Sequence, residues 1–199
     1  MIAAALVATA INVVFLLALD AALRRTEAGK GLHGAAAAGG ICTLSLAEAV
    51  FLRRTPIVEA TPVLLMIACL GACVVSDVVA GLILDAITFP TLAAMVVLSA
   101  PNRFASAAEG ALCCASLIFV LYGASRGRGI GLGDVKLAAC IGAALGPMYG
   151  AQSIGLAFAI GGPVAAALLL TGRAKRTSSV PFAPYLAAGA FAVLGFPNA

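Results

Sequence analysis

Gly129-Ile130-Gly131-Leu132-Gly133-Asp134-Val135-Lys136-Leu137 is the stretch on which the reading of this chain turns. Glycines alternate at 127, 129, 131 and 133, and an acid and a base follow at the mouth of an apolar segment, 137–145. Glycine reaches backbone conformations closed to other residues, so such a run can pack closely against a neighbour. A carboxylate where a chain passes into lipid is expensive, which makes Asp134 a functional candidate. Upstream, Asp77 stands in a similar setting at the close of another apolar run.

That there is lipid to pass into follows from composition. Of the 199 residues, 63% are hydrophobic and 10% are charged. A soluble domain carries about 25% charged residues. So few polar groups cannot cover a globular surface, and the expected fold class is all-α, a polytopic transmembrane helical bundle. The formal net charge of +4 is small, and no basic patch is interleaved with aromatic residues. Nucleic acid is therefore not an expected partner; the lipid bilayer is. The six cysteines all fall in apolar segments and form no C-x-x-C pair. They read as small buried hydrophobes and not as a zinc site. No metal and no cofactor is expected.

Working outward from Asp134, apolar runs are long enough to cross a bilayer at about 20 residues, fewer where protein shields them. About eight membrane segments result: 2–23, 35–52, 62 to past 77, 88–100, 105–122, 137–145, 149–170 and 181–196. The first lacks a basic leader region and reads as a retained span. Residues 77–90 read as a re-entrant stretch. Gly146-Pro147 is a helix stop, and Gly161-Gly162-Pro163 a kink. Gly142 and Gly146 form a G-x-x-x-G pattern that permits close helix packing. No linker divides the chain, so 1–199 is expected to be a single domain. With the N-terminus outside, nine of the twelve Lys and Arg fall in inside loops and three in outside loops. That asymmetry is the one the positive-inside rule requires. It also sets Asp77 and Asp134 at the same, cytoplasmic, end.

Two carboxylates brought together cannot both ionise cheaply, so the pair retains one proton. The ionised acid can take a proton from water while the protonated one polarises a carbonyl, which is the chemistry of an aspartic protease. Asp134 sits where a helix begins. The helix dipole and the nearby Lys136 favour its charged form, with the shared proton on Asp77, although the titration belongs to the pair.

The residues resemble a known family. Gly131-Leu132-Gly133-Asp134-Val135-Lys136-Leu137 is similar to the G-x-G-D-V-K-L signature of type IV prepilin peptidases, bacterial GxGD intramembrane aspartyl proteases. Asp77, with Ile83-Leu84-Asp85 and Thr88-Phe89-Pro90, resembles the family's first-aspartate block, and Val180-Pro181-Phe182-Ala183-Pro184-Tyr185 its closing segment. The three blocks fall in the family's order over roughly positions 70 to 190. The resemblance implies catalytic aspartates at Asp77 and Asp134, with Gly131 and Gly133 as the signature glycines. Lys136 and Asp85 are further candidates for supporting the site.

It implies a multi-pass enzyme of the bacterial cytoplasmic (inner) membrane. The substrate would be a prepilin or pilin-like secretion protein whose short basic leader is removed on the cytoplasmic side. Many family members also carry a cytoplasmic domain with paired C-x-x-C motifs and N-methylate the product. Nothing here matches that domain, so the expectation is a peptidase without zinc, and N-methyltransferase activity is not expected. Presenilin-type GxGD proteases carry Tyr-Asp at the first aspartate, where this chain has Ser76-Asp77. A non-enzymatic alternative is a proton-coupled small membrane transporter or an assembly subunit using buried acids. It requires acids at mid-membrane depth.

Overall fold

The computed structural model describes residues 57–99, 103–126, 130–171 and 181–195. Within them the chain is helical throughout: α1 (Ile57–Ala80), α2 (Asp85–Leu98), α3 (Phe104–Ala124), α4 (Leu132–Leu170) and α5 (Ala183–Gly195). In lipid every backbone group must bond internally, and helices achieve this within one segment. Three of the helices, α1, α3 and α4, are long and apolar enough to cross a membrane. The runs at 2–23 and 35–52, the outward N-terminus and the full segment count lie outside the described residues.

Four of the hydroxyls inside or at the ends of the apolar helices are satisfied locally, whereas the buried Ser153 Oγ of α4 has no partner among the described residues. Thr88, Thr91 and Ser99 donate to carbonyls one turn back, at Leu84, Ile87 and Met95. Ser76 donates to the Cys73 carbonyl. Such back-bonding hides a hydroxyl without a partner from another helix.

Burial separates two kinds of helix surface. The core is built from α1 residues such as Met66, Ile67 and Leu70, joined by Met95, Ile118, Leu137, Ile141 and Leu186. Elsewhere α3 turns Leu112, Leu117, Phe119 and Val120 outward. An apolar outer face this extensive suits hydrocarbon and not water.

Small residues set how closely the helices approach. A methyl group added at Gly110 would lie 2.1 Å from the Gly142 carbonyl oxygen. The pattern at 142 and 146 does serve close packing, but its two glycines do different things. Gly142 meets α3, whereas Gly146 breaks α4 with φ 78° and ψ 176°, a conformation essentially confined to glycine. The chain folds back there, so that a methyl group on Gly150 would come within 3.1 Å of the Gly142 Cα. The predicted runs at 137–145 and 149–170 are thus separate limbs joined at the predicted stop.

One expectation requires correction. Residues 77–90 are not one re-entrant stretch, because α1 stays helical to Ala80 and α2 begins at Asp85. Only the short link 81–84 lies between, opened by Gly81 at φ 64°. At the expected kink, Pro163 lies inside α4, and Gly161 also serves a contact, because a methyl group there would meet the Tyr185 ring at 3.0 Å.

The cysteines pack much as expected. Cys69, Cys73, Cys114 and Cys140 are buried, while Cys113 faces outward and Cys42 lies outside the described residues. The Cys69 thiol contacts those of Cys73 and Cys140 and the Thr91 hydroxyl, and Cys140 Sγ points to the Thr88 carbonyl at 3.7 Å. Small polarisable groups thereby fill the space where α1, α2 and α4 meet.

Candidate functional site

Four helix ends converge at one end of this bundle: the C-terminal end of α1 and the N-terminal ends of α2, α4 and α5. Three N-termini bring partial positive charge to the place where the chain concentrates its acids.

Asp134 is the third residue of α4, and its Oδ2 accepts the Gly131 N–H at 2.9 Å. An acidic side chain at this position reaching back to the residue that opens the helix is the geometry of a capping box. The motif thus folds its own acid into place within four residues. Asp134 is 7% exposed.

Asp77 is 8% exposed and lies three residues before the last residue of α1. Its own backbone carbonyl accepts the Gly81 N–H at 2.8 Å, closing the helix. Its side chain is held from far away in sequence: Oδ2 accepts the Ala183 N–H at 3.0 Å across 106 positions. The two acids are close enough for the Asp77 charge to be felt at Asp134. Among the described residues the other oxygen of each, Oδ1, has no hydrogen-bond partner in the protein. A water or a shared proton can take that position.

The two signature glycines are not equivalent. A methyl group on Gly133 would lie 2.7 Å from the Ile83 Cβ, so the 81–84 link rests directly on this backbone. One on Gly131 would meet only Asp134 Oδ2, at an ordinary 3.5 Å.

Lys136 turns away from the aspartates. Its Nζ lies 2.6 Å from Asp85 Oδ1 and 4.9 Å from the centre of the Phe89 ring. The ion pair joins the starts of α2 and α4 at the rim, with side chains 59% and 28% exposed for Asp85 and Lys136. Lys136 therefore answers Asp85 first, and the expected neutralisation of the aspartates by its ammonium is not direct. Among the described residues no three His, Cys, Asp or Glu side chains are grouped to hold a metal ion.

Sequence reasoning named Asp77, Asp85, Gly131, Gly133, Asp134 and Lys136, and all six lie at this end of the bundle. It missed Ile83 as the wall over Gly133, Phe89 as the ring under Lys136, and Ala183 as a donor. Each lies inside a block already quoted, but the contacts span helices and no local pattern announces them.

A model of the type IV leader peptidase family matches residues 64–170, which hold both aspartates and the ion pair. The chain belongs to the type IV leader peptidase family. The match stops short of α5. A prepilin leader peptidase/N-methyltransferase of Bacillus subtilis (strain 168) is 32% identical over 155 residues, covering 76% of this chain and 62% of the relative. One from Burkholderia pseudomallei (strain 1026b), of the same printed name, is 36% identical over 129 residues, covering 60% of this chain and 41% of the relative. The chain thus spans less than two thirds of the length of these curated relatives. No solved structure matches it. Family and apolar helices together mark an integral membrane protein.

Proposed function

We propose that this chain is a membrane aspartic endopeptidase that removes the short basic leader of type IV prepilins or pilin-like secretion proteins. Asp77 and Asp134 form its catalytic dyad. The observation that supports the reading is that two buried acids, Asp77 and Asp134, stand at helix ends on the same side of the bundle, in a member of the type IV leader peptidase family. The reading is of the peptidase and does not extend to the N-methyltransferase in the relatives' printed name.

The chemistry needs one proton shared by two carboxyls. The ionised one takes a proton from a water held between them, and the water oxygen attacks the scissile carbonyl carbon. The protonated one donates to the carbonyl oxygen as it gains charge. Proton flow then reverses, the C–N bond breaks, and the amine leaves protonated. Backbone N–H groups on Oδ2 of both acids leave the Oδ1 atoms to face the water.

The proposal includes the arrangement in the membrane. About eight segments with the N-terminus outside would set this end of the bundle at the cytoplasmic face of the inner membrane. A transporter relay would place its acids in mid-helix. Here Asp77 stands at the end of α1 and Asp134 at the start of α4, which favours the peptidase.

The test uses membranes bearing the full chain, incubated with a prepilin. Asp77→Asn and Asp134→Asn should each lower leader removal by roughly 10²–10⁴-fold. Leader removal that survives either change would defeat the dyad. The rate should also rise and fall with pH as a bell, because both the doubly protonated and the doubly ionised pair are inert.

A further inference from the structure

The block Pro181-Phe182-Ala183-Pro184 enters the reaction above only through the Ala183 N–H on Asp77 Oδ2. We infer that the Ala183 backbone N–H, at the start of α5, is a positioning donor of the catalytic pair that fixes Asp77 and stabilises its charged form. This rests on the peptidase reading.

Asp77 occupies a poor place for a charge. It is buried, and it stands at the end of α1 where the helix dipole is negative. A carboxylate there needs compensation from another element. The α5 N-terminus supplies it, at 3.0 Å to Oδ2. The local sequence reserves that one donor. Pro184 has no N–H, and the N–H groups of Tyr185 and Leu186 both point to the Phe182 carbonyl, at 3.0 and 3.2 Å. Of residues 183–186, Ala183 alone has an N–H directed outside its own turn.

The donor is also held in place. A methyl group on Gly189 would lie 2.2 Å from the Ser153 carbonyl oxygen, so α5 rests on the α4 backbone. The Phe158 and Phe182 rings pack with centroids 5.0 Å apart, next to the donor. Among the described residues the titratable groups near Asp77 are Asp134 from α4 and Cys73 from α1 itself. Asp85 of α2 and Lys136 of α4 are engaged with each other. The only ionisable side chain on α5, that of Tyr185, packs against Gly161.

The consequence has a definite sign. The N–H favours every state in which Asp77 is charged. With the shared proton on Asp77, removing the donor raises only the doubly ionised state, so the alkaline limb of the rate profile moves to higher pH; with the proton on Asp134, it raises the singly ionised state as well, and the acid limb moves to higher pH instead.

The experiment measures leader removal from a prepilin against pH, with the full chain in membranes. Ala183→Pro deletes the N–H at the first helical position, where proline is accepted. Replacing Ala183 by lactic acid deletes it with the methyl group unchanged, by turning the 182–183 amide into an ester. Both should move one limb up by about one pH unit, the alkaline limb if Asp77 holds the shared proton and the acid limb if Asp134 does. Ala183→Gly, which keeps the N–H, should retain both wild-type limbs. Should the proline variant not assemble, the ester decides alone, and an ester profile with neither limb moved overturns the inference. Asp77→Asn and Asp134→Asn run alongside. If both are inactive while neither ester limb moves, only the role of Ala183 falls; if either is active, the peptidase reading falls with it.

Discussion

Asp134 and Asp77 arrive at the same end of the bundle by opposite routes. Asp134 is placed by its immediate neighbours: Gly131 donates to it, and Gly133 lets the 81–84 link press down beside it. Asp77 is placed by a helix that begins 106 positions later, and α5 in turn depends on its fit against the second limb of α4. One acid is a local motif; the other is a product of tertiary structure. Damage should therefore reach Asp134 only through nearby residues, and Asp77 through residues far from any chemistry.

The largest expected effect tests the long route. Gly189→Val forces a branched side chain against the Ser153 carbonyl, where even a single methyl group would sit at 2.2 Å. Overpacking of this kind costs about 3 kcal/mol or more where backbone is the obstacle. It should abolish leader removal although Gly189 is two turns from Ala183, as measured by thermal unfolding in detergent alongside activity. Retained stability and activity would break the claim that Asp77 depends on α5.

The short route is tested by the two signature glycines. Gly133→Ala collides with the Ile83 Cβ at 2.7 Å and should cost about 1–3 kcal/mol, with part of the loss restored by Ile83→Ala. Gly131→Ala meets only an ordinary contact and should cost about 0.5 kcal/mol, the usual penalty for alanine at a helix N-cap. Equal losses at the two positions would mean that the 81–84 link does not rest on Gly133 as described.

The rim should matter least. A double-mutant cycle over Lys136→Met and Asp85→Asn is expected to give a coupling below about 1 kcal/mol, because the pair is partly exposed and screened. The coupling should fall further as salt is raised. A coupling of several kcal/mol, insensitive to salt, would move this pair from the rim into the machinery that holds the acids.

The same contrast explains what was legible in the sequence. Asp134 could be read because the hydrogen bond that positions it comes from Gly131, three residues away. The stop at Gly146-Pro147 could be read for the same reason, and α3 almost to its ends. Asp77 could be read as a candidate, but not its setting. The apolar run and the two acids at 77 and 85 suggested a re-entrant stretch, whereas four residues from Gly81 make the turn. Gly161 could be read as part of a kink, but not as the place that admits the Tyr185 ring, because that ring comes from another helix. Lys136 looked like a partner for Asp134 by proximity in sequence, yet Asp85 on α2 holds it.

The Ala183 contact has one more implication. What it contributes is a peptide hydrogen, which every amino acid but one carries. Truncating side chains one at a time would pass over this position, since the residue is already alanine. Drift at codon 183 toward almost any other letter would keep the donor as long as the new side chain fits. A functional group of this kind leaves its trace in the prolines around it and in the shape of the helix that presents it.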